Sequence, residues 1–241
     1  QKLAPLICSK SFSKGKTEGL LVVNNPKDSN SDFLVNFFNP DGTTGMMCGN
    51  GGRCAVSFAL DKGLLSNKRQ NIVLEFSNNY YSATLIENRI SLEFPPPIQI
   101  QSNISISVDG ISIVGGYVDV GSPHFVINIL NNELTKRSHI KNLDVLSLGK
   151  KIRYHPYFEP NGTNIDFYIV MNNKIYLRTY ERGVENETGA CGTGAISTAL
   201  ISYLNNEIEL PVEIITSSEH TLTVDMKGKT PDPFRPILIG E

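Results

Sequence analysis

Two short blocks of this sequence carry the residue types that proton chemistry at carbon requires. Met47-Cys48-Gly49-Asn50-Gly51-Gly52 lies in the first half and Ala190-Cys191-Gly192-Thr193-Gly194-Ala195 in the second. Both read Cys-Gly-polar-Gly, and both run into an apolar stretch of helical character, residues 53–60 and 195–204. A thiol at a helix start meets unpaired backbone N–H groups and the positive end of the helix dipole. Both favour thiolate, which makes the cysteine a usable base or nucleophile near neutral pH. The flanking glycines let backbone N–H groups turn towards an anion. Two such blocks facing each other would grip one carboxylate and set one sulfur on each face of the carbon that bears it. The chemistry that suits this arrangement is inversion at an α-carbon: one thiolate removes the α-proton and the opposite thiol delivers one. That reaction needs no redox cofactor, metal or other cofactor, and the sequence offers no clear pyridoxal phosphate site.

The rest of the chain fits a small-molecule enzyme. Its 241 residues amount to between one and two domains at about 150 residues each. With 22 Lys and Arg against 24 Asp and Glu, the charge balance gives no electrostatic reason to bind nucleic acid or an anionic membrane. No stretch approaches the ~20 apolar residues that span a bilayer. The apolar run from Leu3 to Cys8 contains Pro5 and has its basic residues mostly after it, unlike a secretory signal. Four cysteines are too few for a disulfide framework and lack paired zinc-ligand spacing. A metal site with His124 as third ligand lacks that spacing too. The expected protein is reduced, cytoplasmic and free of metal, and a homodimer is compatible with it. Cys8 and Cys54, set among apolar residues on predicted helices, are expected to be small buried hydrophobes.

The elements that must position the two thiols are mostly strands. Residues 20–23, 33–38, 71–76, 80–86 and 89–94 are apolar or β-branched runs parted by turn residues. Asp109-Gly110 marks a hairpin between residues 104–108 and 111–114. Strands are expected at 117–120, 125–130, 164–171, 175–180, 212–216 and 222–224, and helices at 5–12, 53–60, 195–204 and part of 140–148. Many strands and few helices indicate an α+β fold. The repeated cysteine frame indicates two pseudo-symmetric lobes. The boundary is expected in the Pro- and Ser-rich stretch 95–107. This gives an N-terminal lobe at 1–100, a C-terminal lobe at 101–225 and a terminal segment 226–241 returning to the first lobe.

The longer motifs sharpen the reading. Asn39-Pro-Asp-Gly-Thr-Thr-Gly-Met-Met-Cys-Gly-Asn-Gly-Gly-Arg-Cys54 and Glu181-Arg-Gly-Val-Glu-Asn-Glu-Thr-Gly-Ala-Cys-Gly-Thr-Gly-Ala195 closely resemble the two signatures of the diaminopimelate epimerase family. Gly121-Ser-Pro-His-Phe-Val126 and Gly162-Thr-Asn-Ile-Asp-Phe167 resemble two further family motifs in the expected order. The resemblance implies two similar lobes, each a mostly antiparallel or mixed sheet around a central helix, with the active site in the cleft between them. It also implies cofactor-independent interconversion of LL- and meso-2,6-diaminopimelate, on the route to lysine and peptidoglycan. By motif, Cys48 and Cys191 are the two bases. Gly49, Asn50, Gly192 and Thr193 would hold the reacting carboxylate, and His124 and Glu181 would tune the thiols. Asn39, Asn164, Glu181 and Arg182 would contact substrate, with Arg182 suited to bidentate pairing with the distal carboxylate.

The chain departs from the family pattern in three places. A first strand with a Gly-Asn-Asp-Phe motif has no counterpart, so the natural chain is expected to extend upstream of Gln1. Ser122 stands where many members have a substrate-binding Asn. The loop from Glu181 to Cys191 is longer than the commonest form. Two alternatives stand beside the epimerase reading. One is a racemase of another amino acid, similar to proline racemase, although that family usually has Gly-His-Gly after the first cysteine. The other is an inactive binding fragment of the same fold.

Overall fold

The computed structural model describes residues 2–9, 17, 19–44, 47–65, 70–132, 140–228 and 234–240. Gly45 and Met46 of the first signature, and the end of the helix expected at 5–12, lie outside them. The chain divides into two compact units, Gln1–Pro95 with Ile239–Glu241, and Pro96–Leu238.

The first unit holds α1 (Ala4–Cys8), β1 (Leu20–Asn24), β2 (Phe33–Phe38), α2 (Gly49–Asp61), β3 (Ile72–Phe76), β4 (Asn79–Ile86) and β5 (Arg89–Glu93). Its strands lie in chain order, antiparallel except for the parallel pair β2 and β3. Parallel neighbours need a crossover, and α2 supplies it. The helix packs Gly52, Ala55, Val56 and Ala59 inward and leaves Cys54, Ser57 and Phe58 outward. Cys54 is therefore exposed and Cys8 half-buried, which corrects the expectation that both fill a core. An apolar neighbourhood in sequence does not fix a helical face, because burial on α2 follows the 3.6-residue period.

The second unit contains β6 (Gln99–Val108), β7 (Ile111–Asp119), β8 (Pro123–Asn128), α3 (Val145–Arg153), β9 (Asn164–Met171), β10 (Lys174–Glu181), β11 (Asn186–Thr188), α4 (Gly192–Leu204), β12 (Val212–Ile215), β13 (Thr221–Lys227) and the first part of β14 (Arg235–Gly240), whose residues from Ile239 onward fall in the first unit. The sheet order is β14-β13-β12-β10-β9-β8-β7-β6, with β11 paired to β10. The pairs β8/β9 and β10/β12 are parallel, and α4 is the crossover from β10 to β12. Thus the unit β2-α2-β3 recurs as β10-α4-β12, a mixed-sheet α+β architecture with a thiol at the start of each crossover helix. The hairpin strand expected at 104–108 begins earlier, as β6 from Gln99, inside the stretch 95–107 where the lobe boundary was expected. Its alternating Ile104, Ile106 and Val108 are buried, and that period-2 pattern outweighs the serines between them. Three further elements escaped the sequence reading: β11 and β14 altogether, and the second half of α3.

Strand β9 is buried from Asn164 to Ile169 because both its faces are covered. Ile165, Phe167 and Ile169 join the core with Val145 and Ile152 of α3. Asn164, Asp166 and Tyr168 point the other way, towards α4. That helix is buried from Gly192 to Ser202, as expected of a helix apolar on all sides.

Beyond the last β7–β8 pair, Gly116 with Val126, a side chain continues the ladder. Asn132 accepts from the Val114 N–H at 2.7 Å and donates to the Val114 and Asn128 carbonyls at 2.9 and 2.8 Å. Replacing it by alanine strands these groups in a site only 8 % exposed. Asn132→Ala is expected to lose about 2–3 kcal/mol in chemical denaturation; an unchanged midpoint would show that water replaces the amide.

Candidate active site

Both helix starts place their cysteine identically. Cys48 caps α2 at φ −114°, ψ 116°, and its Sγ accepts from the Gly51 N–H at 3.3 Å. Cys191 caps α4 at φ −118°, ψ 113°, and its Sγ accepts from the Gly194 N–H at 3.4 Å. The next N–H on each helix goes to the cysteine carbonyl, Gly52 to Cys48 at 2.8 Å and Ala195 to Cys191 at 2.9 Å. The first N–H groups of an α-helix have no carbonyl one turn back, and on these helices they belong to Gly49 and Asn50 or Gly192 and Thr193. The helices therefore begin before their expected starts, α2 at Gly49 rather than 53 and α4 at Gly192 rather than 195. A sulfur cap and close packing carry the helix back through the glycines.

The glycines are required for space. A Cβ on Gly51 would lie 3.3 Å from the Cys48 Cβ and 3.3 Å from Leu21. One on Gly194 would lie 2.6 Å from Asp166 Oδ1 and 3.2 Å from Thr179 Oγ1. The room left by Gly194 is thus filled by the protein's own carboxylate.

The surroundings of the two thiols differ. Cys48 is half-buried, and the same end of α2 holds Arg53, a guanidinium only 5 % exposed. Arg53 donates from Nη1 to the Gly49 carbonyl at 3.4 Å and from Nη2 to Asn50 Oδ1 at 2.9 Å. Burial lowers its pKa, and the nearby Cys54 and Cys48 thiols work against that shift. Cys191 is 7 % exposed. Burial pushes its thiol well above the usual range, and the charges of Glu181 and Asp166 push the same way. Hydrogen bonds from Thr193 and the Gly194 N–H pull in the opposite direction.

Behind Cys191 lies a buried polar row. The Cys191 Sγ is 3.4 Å from Thr193 Oγ1, which is 2.9 Å from His124 Nε2. His124 Nδ1 is 2.7 Å from Asp166 Oδ2, and Asp166 Oδ1 accepts from Thr179 Oγ1 at 2.7 Å. Strand register builds the row: Thr179 is directly opposite Asp166, and His124 is opposite Asn164, two residues from Asp166. Asp166, Thr179 and Arg53 were not singled out from sequence. The usable signal was one acid inside the apolar strand Ile165-Asp166-Phe167.

The remaining expected residues are placed as follows. Asn164, 3 % exposed, donates both amide hydrogens, to Ser122 Oγ at 2.9 Å and the Pro123 carbonyl at 2.7 Å. Its Oδ1 accepts from the Arg182 N–H at 2.8 Å, so it brackets β8 to the start of the loop after β10. Arg182 donates from Nη1 to the Asn161 carbonyl at 3.4 Å. Its pKa is lowered by burial and then by the positive charge of Arg153. Asn39 closes the turn after β2, donating from Nδ2 to Thr43 Oγ1 at 2.9 Å. Glu181 ends β10, half-buried. Among the described residues there is no cluster of three His, Cys, Asp or Glu able to hold a metal. No helix among them is long and apolar enough to cross a membrane.

The fold is shared with solved structures of low sequence identity. It matches hydroxyproline epimerase from Agrobacterium vitis with a TM-score of 0.71 at 13 % identity, covering 100 % of this chain and 78 % of the other. A PhzF-family phenazine biosynthesis protein from Enterococcus faecalis matches with a TM-score of 0.63 at 14 % identity, over 99 % and 83 %. Sequence narrows the class. The family pattern for diaminopimelate epimerase matches residues 116–230. Diaminopimelate epimerase of Aquifex aeolicus is 37 % identical over 221 residues, 90 % of this chain and 75 % of the relative. That of a Hydrogenobaculum species is 36 % identical over 225 residues, 92 % and 78 %. The chain belongs to the diaminopimelate epimerase family.

The packing at Gly194 gives a direct test of how tightly the polar row is held. Gly194→Ala places a methyl group against Asp166 and is expected to cost about 1–3 kcal/mol by displacing that carboxylate. Thermal unfolding measures it, and an unaltered melting temperature would mean that the row yields without strain.

Proposed function

We propose that the protein interconverts LL- and meso-2,6-diaminopimelate with Cys48 and Cys191 as its two acid–base groups, without a cofactor. The observation that carries this reading is the identical placement of the two thiols, each a helix N-cap whose Sγ accepts a backbone N–H. Membership of the family supports the substrate, at 36–37 % identity to diaminopimelate epimerases against 13–14 % to the racemase-fold neighbours.

In this mechanism one cysteine, as thiolate, takes the α-proton, and the other, as thiol, gives a proton to the opposite face. Charge moves onto the reacting carboxylate as it becomes enediolate-like. The N–H groups of Gly49, Asn50, Gly192 and Thr193 are the donors proposed to stabilise it. Burial and two nearby carboxylates favour Cys191 as the resting thiol. Arg182 is assigned to the distal carboxylate: its charge is disfavoured by burial and by Arg153, so a bound anion relieves it. Asn164 acts by fixing Ser122 and the Arg182 backbone, and Asn39 by shaping the loop that precedes Cys48. The product class places the enzyme in lysine and peptidoglycan precursor synthesis.

Cys48→Ala and Cys191→Ala should each remove net epimerisation, by about two orders of magnitude or more, while circular dichroism stays that of the parent. The assay is proton NMR of diaminopimelate stereoisomers with time. Near-parental turnover by either folded variant would rule out the two-thiol mechanism.

A further inference from the structure

Two guanidinium groups of the second unit meet on one backbone carbonyl. Arg182 Nη1 donates to the Asn161 carbonyl at 3.4 Å, and Arg153 Nη1 donates to the same oxygen at 3.1 Å. A carbonyl oxygen has two lone pairs and can take both. Two cations so close repel each other unless one is balanced, and Glu185 balances Arg153. Its Oε1 accepts from Arg153 Nε at 3.2 Å and lies 3.2 Å from Nη2. The Arg153 side chain, at the end of α3, is only 12 % exposed, and its guanidinium carbon lies 4.8 Å from the centre of the Tyr154 ring.

The backbone is shaped around this pair. Gly162 holds φ +63°, and a Cβ there would overlap Arg153 Nη1 and lie 2.7 Å from the Arg153 carbonyl. The turn before β9 therefore admits the guanidinium only because it lacks a side chain. Glu185 in turn folds the loop after β10. Its N–H donates to the Glu181 carbonyl at 2.8 Å, its Oε1 accepts from the Gly183 N–H at 3.0 Å, and its Oε2 accepts from the Tyr180 hydroxyl at 3.4 Å. It does so at φ +55°, a left-handed conformation uncommon outside glycine. Arg182 lies inside that turn, with its own N–H held by Asn164 Oδ1 at 2.8 Å. An ordinary surface ion pair contributes little and shapes nothing around it. This one joins α3, the turn before β9 and the loop after β10, and all three meet at Arg182.

We infer that Arg153 and Glu185 form a charge-balanced brace that fixes the Arg182 guanidinium, and so act as positioning residues for recognition of the substrate's distal carboxylate. The fork geometry of Arg153 is essential, because one planar group reaches Glu185 and the Asn161 carbonyl together, which a lysine ammonium does not. The Glu185 charge is essential too. It lets Arg153 hold the carbonyl beside Arg182 without adding an unbalanced cation. The electrostatics agree with this division. Burial lowers the Arg182 pKa most and Arg153 lowers it further, while Asp119, Tyr117 and Glu185 work against both. The inference rests on Arg182 being the distal-carboxylate residue.

Two readouts on the full chain test it, one with substrate and one without. The first is KM and kcat for diaminopimelate in Arg153→Lys and Glu185→Gln. Each should raise KM by about tenfold or more, the loss of a charge-assisted contact, with kcat close to parental. Glu185→Gln separates the brace from simple attraction by sign. If Glu185 were only a negative charge near an anion site, removing it would lower KM; a broken brace raises it. Combining the two substitutions should cost no more than the worse one alone, because they disable one unit. The second readout is amide hydrogen exchange of the peptide spanning residues 182–186, followed by mass spectrometry without substrate. It should speed up by about tenfold in both variants, while residues 195–204 exchange as in the parent. If Arg153→Lys does not fold, Glu185→Gln decides. A parental or lowered KM in folded Glu185→Gln, a parental KM in folded Arg153→Lys, or parental exchange of 182–186, overturns the brace. Parental protein that does not turn over diaminopimelate, with faster exchange of 182–186 in the variants, would overturn the substrate and leave the brace on Arg182 in place.

Discussion

The arrangement depends on one unusual hydrogen bond made twice: a backbone N–H in the first turn of a helix donating to a cysteine sulfur. Ser, Thr, Asp or Asn ordinarily caps a helix through oxygen. A sulfur cap is a weak one as thiol and a stronger one as thiolate, because a charged acceptor shortens and strengthens the bond. The cap therefore favours the reactive state of the group that makes it. It also holds Sγ at the end of the helix where the first N–H groups lie. The glycines follow from this requirement, since a side chain at Gly194 would collide with the acid behind the cap and one at Gly51 would press tightly on the cap itself.

The two thiols share a frame and differ in what lies behind it. In the first unit Arg53, a buried cation tied to Gly49 and Asn50, sits on the helix that Cys48 caps. In the second unit the backing is a row of polar side chains on the α4-facing side of a sheet whose other side is apolar core. The period-2 geometry of strands makes this compatible with a continuous core: Ile165 and Phe167 pack one way, and Asn164 and Asp166 the other. Burying an acid there is tolerable because every oxygen of Asp166 has a donor.

What was legible in the sequence was local. The Cys-Gly-polar-Gly frame, the turn at Asp109-Gly110 and the strands with clear alternation depend on neighbouring residues, and the structure places them where that pattern puts them. Features that depend on register or on which helical face is covered were not legible. Asp166 and Thr179 meet only because β9 and β10 pair in one register, and they are 13 positions apart in sequence. Arg53 reads as an ordinary helix residue until the packing of α2 buries it. Cys54 reads as core until the same packing turns it outward. In β6 the alternation of Ile104, Ile106 and Val108 marked only the second half of the strand, and its exposed first half from Gln99 carried no such pattern.

The central claim is that two thiols, rather than one, handle the α-proton of diaminopimelate, and isotope labelling addresses it without altering the protein. The enzyme converts LL-diaminopimelate in deuterium oxide, and substrate and product are separated within the first turnovers and weighed by mass spectrometry. Two monoprotic bases predict one solvent deuteron in the meso product at the inverted carbon and little or none in recovered substrate. Equal labelling of both from the outset, or an unlabelled product, would contradict it.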